Sequence, residues 1–389
     1  MYAISRNRGR AASALSGLLA LLALLAAFAF ATPSAAAQEG RVKGWGLNNS
    51  LQLGNNGAAT RLRPTTVAGL TDSDVRSLAS GGSHSLALLS NGTVESWGYN
   101  GFGQLGVGSQ TDYSVPGTVT NLHGVVAVAA GYRHSLALLS DGSVWSWGYN
   151  GNGQLGDNTN VLRPVPVVVS GLTNVVAIAA GQYHSLALRA DGTVWSWGYN
   201  GYGQLGDGTT TDRSIPLPVP GLTNVRGIAA GANHSLARLA DGNVRAWGNN
   251  GNGQLGDGSL INHSTPVAVV GLTNVRDLAA GTNHSLALLG DGTVKGWGLN
   301  SSGQLGDGTI VQRTTPIAAV GLSNVRSIVA GSNHSVALTG DGAVSTTGYN
   351  GYGQLGDGTT TDRSTFLPAA TGLSSVTLIA AGGDFSLAA

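Results

Sequence analysis

The sequence predicts an all-β fold: a seven-bladed β-propeller of four-stranded antiparallel blades, closed by pairing its N- and C-terminal strands. Three observations predict it. A histidine and a tryptophan recur every fifty residues, apart from 52 between Trp45 and Trp97, each period holds four strand-like runs, and the two ends of the repeated region are complementary halves of one hairpin. The histidine stands at His84, His134, His184, His234, His284 and His334. The tryptophan stands at Trp45, Trp97, Trp147, Trp197, Trp247 and Trp297, with Thr347 in the next place. A fixed period in this range signals repeated supersecondary units, and four strands per unit make a propeller blade.

The fourth copy shows each element in order. Val225–Ala230 is a run of β-branched and small residues that Gly231 ends. His234–Ala240 is a second strand, and Asp241-Gly242 is expected to form a two-residue hairpin turn with positive φ at both positions. Asn243–Gly248 is the third strand, and residues 249–258 (NNGNGQLGDG) form a glycine-rich loop. Ser264–Val270, which carries a proline, supplies a fourth strand at the blade edge.

Closure sets the number of blades. Phe385–Ala389 reads as a second strand that stops before its turn, and Val42–Gly46 (VKGWG) repeats the third strand Val294–Gly298 (VKGWG). Pairing the two completes a seventh sheet and removes the open edges that an unclosed array would leave. The 352 residues from Gln38 onward match seven periods, with Phe385 in the seventh histidine place.

Residues 1–37 read as a signal peptide and 38–389 as the propeller. Arg6, Arg8 and Arg10 open the chain without an acid, Ala11–Ala31 is apolar, and Ala35-Ala36-Ala37 gives a small-residue exit before Gln38. The apolar run is also long enough to span a bilayer, so an uncleaved N-terminal anchor is the alternative. The propeller is expected to be secreted, periplasmic or attached to the cell envelope, with no membrane insertion after cleavage.

Composition narrows the function. Glycine contributes 62 of 389 residues, which suits many tight turns, and charged residues only 10%. The three leader arginines exceed the whole net charge of +1, so the remainder carries −2. A near-neutral chain without a basic stripe gives no reason to expect a nucleic-acid partner. The absence of cysteine excludes disulfides, thiolate metal sites and a cysteine nucleophile.

The string W-G-x-N-G-x-G-Q-L-G, with G-x-x-H-S-L-A-L upstream, resembles the regulator of chromosome condensation repeat family over essentially all of residues 38–389. The resemblance implies a seven-bladed propeller, in agreement with the repeat count. The family's namesake is a nucleotide exchange factor for a small GTPase, acting through an inserted β-wedge, with a basic tail that binds chromatin. Neither feature has a counterpart in the spacing here, so a guanine nucleotide exchange-type regulator is the alternative function, by resemblance only. A light-sensing branch of the family uses tryptophans in a G-W-R-H-type motif. The matching positions here include Tyr132-Arg133, Gln182-Tyr183 and Ala232-Asn233, none a tryptophan.

The repeated histidines could suggest a ring of metal sites. Equivalent residues on neighbouring sheets stand about 10 Å apart, whereas zinc binds imidazole at about 2 Å. Each imidazole is therefore expected to bond a backbone group in its own blade, with no metal. The loop Asp207–Asp212 offers two carboxylates without the closing Glu of a calcium loop, so turn chemistry is expected. The G-x-G-x-x-G string at Gly101–Gly106 precedes no helix that could hold phosphate. No acid pair or Ser/His/Asp set stands apart from the repeats, so the expectation is a binding scaffold without catalytic residues or cofactor.

A partner site should lie where the copies differ. Two places before the repeated tryptophan stand Lys43, Glu95, Trp145, Trp195, Arg245, Lys295 and Ser345. A position that holds Lys, Glu and Arg is expected to be wet, which would expose Trp145 and Trp195. With the variable Tyr132, Arg133 and Tyr183 they form the predicted binding residues, for a protein or glycan partner. The competing reading is that the two tryptophans cover blade seams.

Overall fold

Each stretch of blade 4 lies close to where its sequence pattern puts it. In the computed structural model, which describes residues 42–389 apart from 71–74, 370–372 and 374, its strands are Val225–Ala230, His234–Leu239, Val244–Gly248 and His263–Ala268. They pair in that order, antiparallel throughout. Numbered along the chain, blades 1 to 6 begin at Val75, Val125, Val175, Val225, Val275 and Val325. Each first strand contacts those of the two neighbouring blades, and the seventh returns to the first. The ring is closed.

Closure is made by the two terminal segments. Blade 7 has the order Ile379–Ala381, Phe385–Ala388, Lys43–Gly46, Arg61–Thr66. Lys43 pairs with Ala388, Gly44 with Leu387, Trp45 with Ser386 and Gly46 with Phe385. Val42 and Leu387 share one buried cluster.

The hairpins between second and third strands differ from expectation. In blade 2, Gly142 N–H donates to Leu139 O at 3.0 Å and Leu139 N–H to Ser143 O at 2.9 Å. Only Gly142 has positive φ, at 81°. The turn is thus a three-residue loop with glycine in the left-handed place, not a two-residue turn. Asp141 keeps ordinary φ because its carboxylate accepts from Ser143 N–H and Oγ–H, which fixes the loop from outside.

The core lies in the seams between blades. Between blades 2 and 3, Leu136, Leu138, Val144, Val169, Leu172, Val175, Ala187 and Trp197 form one buried cluster. The seams also carry a repeated polar lattice. Gln104 O, in blade 1, accepts from Trp147 Nε1–H at 2.8 Å and from Ser135 Oγ–H at 2.9 Å, both in blade 2. His84 Nε2, from blade 1, meets the same Ser135 Oγ at 2.8 Å. Since the serine proton goes to Gln104, the imidazole must donate through Nε2, which leaves it neutral with Nδ1 unpartnered. Burial lowers the pKa of five of these histidines from 6.5 to about 3, and of His334 to about 4. Each histidine therefore bonds the next blade's serine rather than backbone of its own blade. The serine is within reach because the seam, not the blade, is the packed unit.

Two seams depart from the pattern. Phe385 replaces the seventh histidine, and Ser85 there bonds Gln52 O alone. Thr347 replaces a tryptophan, and the outer-strand Phe366 fills the space, buried with Leu286, Leu288, Val294, Val325, Ile328 and Ala337. Thr347 Oγ1 donates within the same seam, to Gly303 O at 3.0 Å or Arg363 O at 2.7 Å.

Candidate partner-binding face

The strand directions place variable positions on two opposite faces. The upper face carries the loops between first and second strands, such as Gly131-Tyr132-Arg133, and those between third and outer strands, such as Tyr149–Leu162. The lower face carries the Asp-Gly hairpins and the blade-to-blade connections. Motif residues build the upper loops. Asn150 Nδ2 donates to Thr159 O at 3.0 Å and Val161 O at 3.1 Å, and its Oδ1 accepts from Leu155 N–H.

The acidic loops are occupied by their own turns. Asp207 Oδ1 accepts from Thr209 N–H and Oγ1–H, and Oδ2 pairs with Arg213 at 2.8 Å. Asp212 Oδ1 accepts from Asn200 N–H. These bonds and the arginine hold Asp207 below the usual carboxylate range, although burial opposes them as the largest single influence.

The axial cavity, about 340 Å³, is lined by the inner strands and the loops that follow them. Its walls are Gly, Ala, Leu, Ile and Val with Ser80, Tyr132, Gln182, Thr282 and Ser332, and no carboxylate, imidazole or amine of the described residues lines it. Above it, neighbouring loops bond to one another: Gln182 N–H to Ala232 O at 3.1 Å, Ala232 N–H to Gly281 O at 3.2 Å, Ser332 N–H to Gly383 O at 3.0 Å. Those amides are consumed by the ring itself.

The upper face of blades 1 to 3 carries a continuous aromatic group. Ring centroids lie 6.1 Å apart for Tyr99–Phe102, 5.2 Å for Phe102–Tyr149, 5.8 Å for Tyr149–Tyr183 and 6.0 Å for Tyr183–Tyr132, all edge-to-face. The Arg133 guanidinium sits 4.6 Å from the Phe102 centroid and 5.3 Å from that of Tyr132. Such contacts hold a cation without neutralising it. Arg133 has no ion-pair partner among the described residues. Tyr132 is the most open ring, 40% exposed, and burial raises the Tyr183 phenol above its ordinary value against the pull of Arg133. Gly82 makes room for it, since a side chain there would collide with the Tyr132 ring.

The predicted residues therefore divide. Tyr132, Arg133 and Tyr183 come together, joined by Tyr99, Phe102 and Tyr149, which the sequence reading had left among the repeats. Trp145 and Trp195 lie toward the lower face, half-buried rather than exposed. Trp145 packs on the seam of blades 1 and 2, and Trp195 on that of blades 2 and 3. Arg189 lies 5.6 Å from the Trp195 ring. A position open enough for Lys or Glu also lets a long ring fold back over its seam. The missed aromatics had a signal: the residue after the third strand's closing glycine is Tyr99, Tyr149, Tyr199 and Tyr349 but Leu47, Asn249 and Leu299 elsewhere.

Comparison with known proteins agrees with this architecture. The RCC1-like domain model matches residues 124–389, and the Regulator of chromosome condensation (RCC1) repeat model matches 39–88 and 91–138. The chain is similar to the ultraviolet-B receptor UVR8 of Arabidopsis thaliana, 33% identical over 90 residues, 23% of this chain and 20% of that one. It is also similar to a Protein RCC2 homolog of Danio rerio, 42% identical over 74 residues, 19% of this chain and 15% of that one. These matches span a fifth or less of each relative. Among solved structures, Prp20p of Saccharomyces cerevisiae, described with its binding to Gsp1p and histones, is 28% identical with a TM-score of 0.80, covering 91% of this chain and 92% of that one. Human WBSCR16 is 27% identical with a TM-score of 0.79, covering 90% and 98%. With seven closed blades, the repeated seam lattice and a family match over most of its length, the chain belongs to the RCC1-like domain family.

Proposed function

We propose that the protein is an exported, non-catalytic scaffold that binds a protein partner through the upper face of blades 1 to 3. One observation carries this reading: six side chains, Tyr99, Phe102, Tyr132, Arg133, Tyr149 and Tyr183, form one contiguous group where the blades differ. Aromatic and arginine side chains are the types most enriched at protein interfaces. The edge-to-face packing covers ring faces with the edges of neighbouring rings, which favours a protein over a glycan that needs an open ring face to stack on. The similar Prp20p binds other proteins, by the description of its structure. The axial cavity is lined by Gly, Ala and aliphatic side chains with Ser80, Tyr132, Gln182, Thr282 and Ser332, and no carboxylate or imidazole of the described residues lines it beside those hydroxyls.

Export rests on residues 1–37, whose signal-like pattern lies outside the described residues. Intact mass of the isolated protein tests it: a chain beginning near Gln38 supports export, and one beginning at Met1 supports an anchor. The binding face is tested by cross-linking in an envelope extract with wild type, a Tyr132→Ser/Tyr183→Ser variant, and a lower-face Lys295→Ser control. The upper-face variant is expected to lose a cross-linked band that the control keeps. Equal recovery of every band from all three would overturn the assignment.

A further inference from the structure

We propose that the upper-face cluster recognises carboxylates, so that the partner presents an acidic segment to Arg133; this rests on reading that face as the partner surface. A glutamine recurs in the upper loop of every blade, at Gln52, Gln104, Gln154, Gln204, Gln254, Gln304 and Gln354. Each has its Oε1 fixed by the backbone N–H two residues earlier, Phe102 N–H for Gln104 and Asn152 N–H for Gln154, both at 3.0 Å. The amide cannot be turned over without losing that bond, so Nε2 is left to face the residue after the repeated tryptophan and glycine, as Gln254 Nε2 does in donating to Asn249 Oδ1 at 2.6 Å, and the residue before the next blade's histidine. In three seams that residue accepts. Asn233 Oδ1 accepts from Gln204 Nε2 at 3.3 Å, Asn283 Oδ1 from Gln254 Nε2 at 3.3 Å, and Asp384 Oδ1 from Gln354 Nε2 at 3.2 Å.

Arg133 and Tyr183 occupy the same place opposite Gln104 and Gln154. Arginine has no acceptor atom at all, and Tyr183 makes no such bond. Gln104 and Gln154 are fully buried, and the Nε2 atom of each has no partner. Gln104 thus leaves a buried donor opposite Arg133 and Gln154 one opposite Tyr183; Gln52 and Gln304, opposite Ser83 and Asn333, are also unpartnered, but only Gln104 lies opposite a guanidinium, one without an ion-pair partner among the described residues. Every polar group of the cluster is a donor or a phenol: Arg133, Gln104, Gln154 and the hydroxyls of Tyr99, Tyr132, Tyr149 and Tyr183. No carboxylate stands among them. Native proteins rarely leave buried donors unmatched without a reason, and the missing chemical type here is an anionic oxygen acceptor. Arg133 is held between two rings, which leaves its N–H fork to pair bidentately with a carboxylate. A carboxylate that draws Arg133 outward also opens Gln104 beneath it.

The probe is a fluorescein-labelled hexaglutamate peptide, with hexaglutamine as the uncharged control, read by anisotropy on the full-length protein. Hexaglutamate is expected to bind at least tenfold more tightly than hexaglutamine, and more weakly as salt is raised, because exposed charge pairs are screened over about 8 Å at physiological ionic strength. Arg133→Asn copies the residue of blade 4, removes the charge and offers Gln104 an acceptor. It is expected to lower hexaglutamate affinity at least tenfold while the melting temperature holds or rises. Arg133→Gln, a second uncharged replacement of closer length, is expected to do the same. Equal binding of the two peptides, absence of hexaglutamate binding, wild-type affinity in both variants, or displacement by neutral maltohexaose would overturn the proposal. A cross-linked partner lost on Tyr132→Ser/Tyr183→Ser but indifferent to hexaglutamate would sink the carboxylate assignment and leave the partner face standing. Loss of neither would sink both.

Discussion

The upper faces of blades 2 and 3 and of blades 4 and 5 share one backbone and differ in a few side chains. In blades 4 and 5, Asn233 and Asn283 cap the glutamine amide of the preceding blade, and Ala232 and Thr282 stand beside them. In blades 2 and 3 the same places hold Tyr132-Arg133 and Gln182-Tyr183, and the amides go uncapped. The amides that face the first pair are unsatisfied and those that face the second are capped, while Gln52 and Gln304, which face blades 1 and 6, are also unpartnered. The lattice of His, Ser, Gln and Trp is common to both halves, and the side chains that differ stand at the positions it leaves free. Each prediction below tests whether the halves differ only at the surface.

Acid is expected to have the largest effect, and to strike both halves together. The lattice histidines are neutral in the fold, with pKa lowered from 6.5 to about 3 or, for His334, about 4. The unfolded chain takes up protons near 6.5 and the folded chain does not. Their contribution is therefore complete above pH 6.5 and is lost as pH falls toward the folded values. Each loses about 1.4 kcal/mol per pH unit in that window, roughly 2 kcal/mol at pH 5, and six act together. Against an ordinary stability of about 5–15 kcal/mol, the propeller should unfold near pH 5. Far-ultraviolet circular dichroism and tyrosine fluorescence should report one coincident transition. An earlier change confined to the tyrosine signal would show that the aromatic half is a separate, weaker scaffold.

Truncating the lattice tryptophan comes next. Trp147→Ala in the aromatic half and Trp247→Ala in the plain half should each cost about 3–5 kcal/mol in denaturant unfolding. Both rings are fully buried and donate to a glutamine carbonyl at 2.8 Å. Trp145→Ala, from a half-buried ring, should cost less, about 1–2 kcal/mol. Unequal losses at 147 and 247 would break the claim of a common frame, and a zero loss at 145 would return that ring to the surface.

The fold was legible because it repeats. Duplication makes the period visible without alignment, and the complementary termini fix closure. What was not legible depends on geometry across a seam. The partner of His84 is Ser135, fifty-one residues away, and the duplication gives no hint that the imidazole points across rather than along its blade. Phe366 stands nineteen residues beyond Thr347, in another strand, and only packing shows that one replaces the ring the other lost. Trp145 and Trp195 misled because tolerance of charge at a position was taken for exposure of whatever stands there. Tyr132, Arg133 and Tyr183 stand out in the sequence because variation among copies marks the residues the frame does not need. The orphaned amides of Gln104 and Gln154 are invisible in that way, since glutamine is present in every copy and its bonds depend on geometry across the seam: Gln304 is unpartnered although Asn333 stands where Asn233 and Asn283 cap their glutamines.

The smallest expected effect separates the two roles most sharply. Tyr183→Asn gives blade 3 the residue of blades 4 and 5. It removes two edge-to-face contacts, with Tyr132 at 6.0 Å and Tyr149 at 5.8 Å, each of which stabilises by about 0.5–1.5 kcal/mol. It also gives Gln154 Nε2 an acceptor, and satisfying a buried donor recovers about 1–3 kcal/mol. The two changes oppose each other at similar size, so unfolding in denaturant should shift by less than about 1 kcal/mol. A loss of several kcal/mol would mean that the tyrosine belongs to the frame after all. A clear gain would mean that the aromatic half carries the uncapped amide at a cost to its own stability, as a surface kept for something other than folding must.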